Sequence, residues 1–294
     1  MGVPVETDPA RLDAEIAFLG VPHGWPYPRP GTTAGCALAP TAVRRRAARL
    51  ARFRDHWDFD LDAPMRLRSC VDAGDVPGEP DDGAGNSARI TEVVAAILER
   101  DIVPICIGGD DSVPIPILRA YEGRAALTVL QVDAHLDFRD EVQGVREGYS
   151  SPMRRGSEME HVARVVHAGL RGVGSARAAD VEDSRAAGNL IVTARQLRER
   201  GVPWVIEQLV LAESVFVSFD CDGLDPSVFP AVSAPAPGGL NYVEASDLLA
   251  GIGPRLAGAV FTEYVPEIDV NDISALTLGR LMLRLAGDRP GPSA

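Results

Sequence analysis

The chain has 294 residues, 46% of them hydrophobic and 24% charged, and a formal net charge of −13. This composition is typical of a globular protein, and the negative charge opposes binding to nucleic acid and to anionic membranes. No apolar run reaches the length of a membrane span, and MGVPVETDPARLDAEI lacks the layout of a secretion signal, so a cytoplasmic protein is expected. The cysteines are widely scattered, which favours buried, reduced thiols over disulfides or a four-cysteine metal site.

Short β-rich runs alternate with segments of helical apolar spacing. The predicted strands are EIAFLGVP, RLRSCVDAGDV, IVPICIGG, LTVLQVDAH, RVVHAGLRG, GNLIVTA, SVFVSFDCD and GAVFTEYVP. The predicted helices include APTAVRRRAARLARF, ARITEVVAAILERD, VPWVIEQLVLAE and YVEASDLLAGIGPRL. Repeated strand and helix units predict a mostly parallel sheet covered by helices on both faces. We find no linker or internal repeat, so one three-layer α/β domain over residues 1–294 is expected, with a mobile tail at about 286–294.

Acidic residues follow four of the predicted strands, at GGDDS, DAHLD, DCDGLDPS and TEYVPEID. In an open parallel sheet, the loops after the strands converge on one crevice, where ligands bind. The doubled acid Asp110 and Asp111 therefore lies at the edge where the other acids are expected to meet.

Two of these segments have the spacing of a metal site. VLQVDAHLDFRD places Asp133, His135 and Asp137 at alternate positions, which share a face in an extended chain, and VFVSFDCDGLDPS repeats the pattern with Asp220 and Asp222. Either segment alone could be a polar loop whose acids face water, but together they favour metal ligands. Because so many acids in one crevice need cations, a pair of divalent ions that share bridging carboxylates is expected, with a bound water as the nucleophile of a hydrolysis.

These blocks, together with SAPAPGGL, CVDAGDVP and GVPHGWPYPRPGTTAGCALAPTAVR, resemble the signature segments of the ureohydrolases, the arginase and agmatinase family, over nearly the whole chain. The resemblance implies one α/β domain around an eight-stranded parallel sheet, assembled as a trimer or hexamer. It also implies hydrolysis of a guanidino group to urea and an amine with two Mn²⁺ or, in some members, Ni²⁺. The chain length and the RPG segment near Arg29 favour the agmatinase-like branch.

The resemblance implies a role for each residue that matches a family motif. The implied metal ligands are Asp133 and Asp220 as bridges, His135 and Asp222 on one metal, and Asp137 on the other, where it also holds the hydroxide. Glu263 falls on the family's substrate-side carboxylate, which pairs with the guanidinium, although it could also be an ordinary acid at a strand end. Ser151 is expected to contact the substrate, and His23 either lines the substrate pocket or is exposed. His167, in an apolar run, is expected in the core or at an interface.

Two positions depart from the family pattern. The residue after GGD is normally a histidine ligand, but here it is Asp111, which adds a negative charge, favours Mn²⁺ over Ni²⁺ and weakens the metal as a Lewis acid. In REGYSSPMRR, an ungapped alignment places Tyr149 where the family has the histidine that passes a proton to the leaving amine, whereas a shift of two residues leaves that role empty. A phenol can donate a proton but is a poor reversible shuttle near neutral pH.

The leading interpretation is a binuclear-metal amidinohydrolase that acts on a small cationic guanidino compound such as agmatine. Its catalytic residues are expected to be Asp137, Glu263 and Tyr149. Two alternatives stay open: a weakly active or noncatalytic subunit beside a paralogous partner, or a hydrolase of another amidine or amide. The two altered positions favour these alternatives, whereas the rest of the ligand set and Glu263 favour an autonomous, homo-oligomeric enzyme.

Overall fold

The eight predicted strands form one parallel sheet in the computed structural model, which describes residues 2–28, 34–53, 55–60, 62–210 and 213–287. The strands are β1 (Ile16–Val21), β2 (Trp57–Asp58), β3 (Ala63–Pro64), β4 (Cys70–Asp75), β5 (Val103–Gly108), β6 (Leu127–Val132), β7 (Val162–Leu170), β8 (Leu190–Thr193), β9 (Ser214–Asp220) and β10 (Leu256–Thr262). β2 and β3 make a separate antiparallel pair. The other eight have the order β4-β1-β5-β10-β9-β6-β7-β8, and the expected eight-stranded α/β fold is confirmed.

Helices cover both faces of this sheet. They are α1 (Ala39–Leu50), α2 (Gly83–Leu98), α3 (Pro114–Arg119), α4 (Pro152–Ser157), α5 (Ala178–Ala186), α6 (Ala194–Arg200), α7 (Val202–Glu207), α8 (Tyr242–Ile252) and α9 (Ile273–Ala286). One apolar core joins the sheet to α1, α6, α7, α8 and α9, and a second joins it to α2, α3 and α4. The predicted three layers are therefore confirmed.

Capping side chains explain where two of the predicted helices begin. α2 begins before the predicted segment because the side chain of Asp82 accepts a hydrogen bond from the backbone N–H of Gly85 at 2.9 Å. α8 begins at Tyr242, as expected, because Asn241 and Glu244 each accept a hydrogen bond from the other's backbone N–H. α7 ends at Glu207, well before the end of the predicted segment.

The strand order determines where the acidic segments meet. β5, β10, β9 and β6 are consecutive in the sheet and parallel, so the segments after them lie side by side at one edge. These are the four segments whose acids were predicted to share a crevice.

Three further expectations concern the rest of the chain. All four cysteines are buried and free, as predicted. The expected tail lies outside the described residues from position 288 onward, and Ala286 ends α9. In the part of the chain that the structure describes, no helix has both the length and the apolar character needed to cross a membrane.

Candidate metal centre

The doubled acid after β5 has two separate functions. Asp110 shapes the turn, because its Oδ1 accepts hydrogen bonds from the backbone N–H and the hydroxyl of Ser112, at 3.1 and 2.5 Å. Asp111 instead accepts a hydrogen bond from the hydroxyl of Thr262 on β10 at 2.7 Å through Oδ1. Its Oδ2 is buried and has no hydrogen-bond partner among the described residues. An orphaned carboxylate oxygen in the interior requires a partner that protein groups do not supply, and a cation is the partner with the right charge.

The segment after β6 places three donors around the same point. Asp133 follows the strand directly, and its Oδ1 accepts a hydrogen bond from the backbone N–H of His135. The ring Nδ1 of His135 lies 3.0 Å from Oδ2 of Asp222. Asp137 adopts a left-handed backbone with φ 45°, which non-glycine residues rarely do outside turns and functional sites. These residues thus converge through turns beyond the strand end, and not through the extended alternation that predicted them.

Two aspartates after β9 complete the set. Asp220 ends the strand, and its Oδ1 accepts a hydrogen bond from the backbone N–H of Asp222 at 2.7 Å. Asp222 lies in the 3-10 turn Cys221–Gly223 and accepts a hydrogen bond from the backbone N–H of Ala134 at 3.1 Å. This last contact fixes the β9 loop against the β6 loop.

The ligand atoms form two overlapping clusters, each within 4.8 Å: Asp133, His135 and Asp222 in the first, and Asp111, Asp133, Asp137 and Asp220 in the second. The structure thus brings all six predicted ligands together. Asp133 belongs to both clusters, and Asp220 belongs only to the second. The bridging role of each stays a prediction. The oxygen-rich donor set and the unpartnered oxygen of Asp111 fit two hard divalent cations.

The electrostatics also fit a cation site. Burial, reinforced by neighbouring carboxylates, raises the pKa of Asp111, Asp133 and Asp220 well above the ordinary range. Burial also raises the pKa of Asp137 to about 6, although its contact with Asp133 opposes the rise. A hydrogen bond to Asp222 raises the pKa of His135. So many buried acids hold protons unless cations replace them, so cation binding and proton release are linked.

Glu263 lies beside these clusters in a strained backbone with φ 63°. Its Oε1 accepts a hydrogen bond from the backbone N–H of Asp111 at 2.9 Å, and its Oε2 lies 3.7 Å from the thiol sulfur of Cys36. Burial and the charge of Asp110 raise the pKa of Glu263 to about 8. A buried, oriented carboxylate at this edge suits the predicted pairing with a guanidinium, which stays a prediction.

The predicted substrate-side residues lie on segments that contact this centre. The backbone N–H of Met153 donates to the carbonyl of Asp137 at 3.2 Å, which fixes the segment from Tyr149 to Ser151 next to the β6 loop. Tyr149 is half-buried and packs edge-on against Tyr27, with ring centroids 4.4 Å apart. The hydroxyl of Ser151 is buried without a hydrogen-bond partner among the described residues.

His23 is the remaining predicted substrate-side residue. It is half-buried, and Trp25, two residues later, donates its backbone N–H to the hydroxyl of Ser112 at 2.6 Å. The N-terminal loop is thereby fixed against the turn after β5. Both predicted alternatives for His23, lining the substrate pocket or lying exposed, stay predictions.

The sequence did not reveal the role of Arg171, at the end of β7. Its guanidinium donates hydrogen bonds of 2.6–3.2 Å to the carbonyls of Gly169, Asp222, Gly223, Leu224 and Ala236. A cavity of about 930 Å³ opens beside His135, with Arg171, Arg195 and Arg198 among its lining residues. Neither Thr262 nor Cys36 had a local sequence signal, because their partners are 151 and 227 residues away.

Comparisons with known proteins show the family of the chain. The Arginase family model matches residues 14–287. The chain is 32% identical to a guanidinopropionase of Pseudomonas aeruginosa, over 97% of this chain and 89% of the relative, and 29% identical to an agmatinase of Sodalis glossinidius, over 98% and 92%. The structure of a formiminoglutamase of Trypanosoma cruzi with Mn²⁺ matches with a TM-score of 0.81 and 25% identity, over 93% of this chain and 92% of that one. With its sheet, its acidic edge and these matches in agreement, the chain belongs to the arginase family of ureohydrolases, as a member with agmatinase-like relatives.

Proposed function

We propose that this chain is a binuclear-metal amidinohydrolase that releases urea from a guanidino compound. The observation that carries the proposal is that Asp133 is shared by two clusters of buried metal-ligand atoms. Membership of the arginase family, with relatives named for guanidino hydrolysis, supports the same reaction. The hard oxygen donors, Asp111 among them, favour Mn²⁺ over Ni²⁺.

The protein residues divide the work of binding and orientation. The two cations would be held by Asp111, Asp133, His135, Asp137, Asp220 and Asp222. When bound, two divalent cations supply a hydroxide nucleophile near neutral pH and stabilise the negative charge that develops during hydrolysis. Glu263, already oriented by the backbone of Asp111, accepts hydrogen bonds from the planar guanidinium and aligns its carbon with the site.

Proton delivery to the leaving amine falls to Tyr149. Its segment is fixed beside Asp137, and its ring is packed against Tyr27, so its position is well defined. The hydroxyl of Ser151 lacks a partner among the described residues and can bond to the substrate. A phenol that donates a proton in each turnover must be reprotonated from water, so turnover is expected to be slow near neutral pH.

The metal clusters do not determine which side chain the guanidino substrate carries. The acidic centre suits the cationic guanidinium, whereas Arg195 lines the adjoining cavity and makes no ion pair with any described residue. The substrate panel should therefore contain agmatine and arginine together with guanidino acids of different length, such as guanidinopropionate and guanidinobutyrate.

The test measures metal content first and urea release second, on the same preparation. We expect two Mn²⁺ per chain and urea from at least one panel compound. Asp220→Asn should lose metal and urea together, whereas Asp247→Asn, exposed on α8 and outside both clusters, should keep both. Two bound metals with no urea from any compound would favour the noncatalytic subunit, and fewer than two metals would refute the proposal.

A further inference from the structure

A polar side chain lies inside the apolar strand β6, two residues before Asp133. Gln131 is 1% exposed, and its Nε2 donates a hydrogen bond of 2.6 Å to Oδ2 of Asp133. A buried amide destabilises a sheet unless its polar atoms are paired, so both ends of this side chain need partners. One partner is the carboxylate that the two cation clusters share.

The other end of Gln131 leads away from the centre. Its Oε1 contacts Nδ1 of His167, the residue directly opposite on β7, and the ring Nε2 lies 3.1 Å from the hydroxyl of Ser184 on α5. Nδ2 of Asn189 lies 3.4 Å from the same hydroxyl. These four side chains are all buried, so the chain runs from the metal centre to the outer helix layer without contact with solvent.

Two contacts, one at each end of the chain of side chains, set the direction of its hydrogen bonds. Oδ1 of Asn189 accepts from the backbone N–H of Val165 at 2.9 Å, so its Nδ2 faces Ser184 as a donor. At the other end, the ionised carboxylate of Asp133 can only accept, so the amide nitrogen of Gln131 faces it and Oε1 accepts from Nδ1 of His167. Nε2 of His167 is then an acceptor and takes the hydrogen of Ser184.

We propose that Gln131 and His167 are positioning residues for the metal centre, because this buried chain of fixed polarity holds Asp133 in the orientation that both cation clusters require. The inference rests on the proposed function, since it assumes that cations bind at Asp133. Burial lowers the pKa of His167 to about 3, so the ring stays neutral, and the chain stays intact, over the whole range in which the protein would work. Partners that orient metal ligands in this way are typically worth 10–100-fold in metal affinity.

The first experiment is a titration of metal-free protein with Mn²⁺, in which free ion is measured by electron paramagnetic resonance. Gln131→Met keeps the volume and removes the donor, so we expect Mn²⁺ affinity to fall by about tenfold or more. The matched control is Thr128→Val, on the same strand, because its hydroxyl is buried but has no partner among the described residues. It should stay within about twofold of the wild type.

The second pair of variants asks whether His167 acts through Gln131. His167→Phe breaks the chain and should lower Mn²⁺ affinity several-fold, and the double variant with Gln131→Met should lose no more than Gln131→Met alone. His167→Gln keeps a donor and an acceptor and should restore most of the affinity. This pair also decides the question if Gln131→Met does not fold.

The third measurement is independent of metal loading and of activity. Nitrogen-15 NMR of histidine-labelled, metal-free protein should show His167 with its proton on Nδ1 and without protonation between pH 5 and 8. The resonance is assigned by its loss in His167→Gln.

The outcomes separate the two proposals. Wild-type protein that binds no Mn²⁺ would refute the proposed function. Wild-type binding together with unchanged affinity in Gln131→Met and His167→Phe, or equal losses in Thr128→Val, would refute only the positioning role, as would an Nε2-protonated His167.

Discussion

Arg171→Met should destabilise both the fold and the metal centre. The guanidinium donates to five backbone carbonyls, and one of them, on Asp222, belongs to a predicted ligand. Gly223 O keeps a second donor, the backbone N–H of Leu240 at 3.0 Å, and water can reach part of the half-buried site. If two carbonyls stay effectively unpaired at about 1–2 kcal/mol each, the free energy of unfolding falls by about 2–4 kcal/mol.

The assay is denaturant unfolding of metal-free protein, followed by Mn²⁺ titration of the folded variant. Arg195→Met is the matched control, because Arg195 lines the same cavity, is exposed and bonds to no described residue. It should change the free energy of unfolding by less than about 0.5 kcal/mol. Equal unfolding midpoints for the two variants would refute the stabilisation of these carbonyls by Arg171.

Three further predictions concern the centre itself. The pKa of Asp137 is raised to about 6 and that of Glu263 to about 8, so both groups stabilise the metal-free fold when they are protonated. The stability of the metal-free protein should therefore fall as pH rises from about 4 to 8. Mn²⁺ displaces these protons, so the rise in Tm on adding Mn²⁺ should grow from pH 5 to pH 8, measured by thermal melts with Mn²⁺ and with EDTA. Asp111→His removes one buried negative charge and should move the acidic limb of kcat/KM to lower pH, by roughly one unit. Tyr149→Phe should lower kcat by about 100-fold with little change in KM, if the phenol delivers the proton.

Each of these three has a clear contrary result. A metal-induced rise in Tm that is constant with pH would mean that protons and cations do not compete at the site. If the acidic limb of kcat/KM does not move in Asp111→His with both metal sites filled, Asp111 does not affect the activation of water. Tyr27→Phe is the control for Tyr149→Phe, since it removes the hydroxyl that accepts from the Ser150 backbone N–H at 3.3 Å, and equal kcat losses would indicate packing and not proton transfer.

The sequence predicts the sheet and the grouping of the candidate ligands at one edge, because both depend on short segments. Short apolar runs predict all eight strands, and the acids that follow four of them predict the edge where those acids meet. The acids do cluster as predicted, but not because alternate residues of an extended segment share a face. Asp137 has a left-handed backbone, and Asp222 lies in a 3-10 turn. The division of the ligands into two clusters depends on these turns and could not be derived from spacing.

Other features could not be predicted because their signals are weak or distant. α3 and α4 are six residues each and contain prolines, which usually indicate turns, although proline is well tolerated in the first helical turn. The contact of Cys36 with Glu263 joins positions 227 residues apart. Gln131 did carry a signal, since an amide in the middle of an apolar strand requires a buried partner.

The strand order also constrains how the chain can be assembled during synthesis. β9 and β10 emerge last, yet they occupy the middle of the sheet between β5 and β6. Until they are inserted, β4-β1-β5 and β6-β7-β8 are separate three-stranded halves, each with an unpaired edge strand that is almost wholly buried in the finished sheet and can pair with another chain. Asp111 belongs to the first half, Asp133 to the second and Asp220 to the inserted pair. The second cluster can therefore form only after the two halves have joined, and we expect chaperone dependence to be greatest just before residue 262 leaves the ribosome.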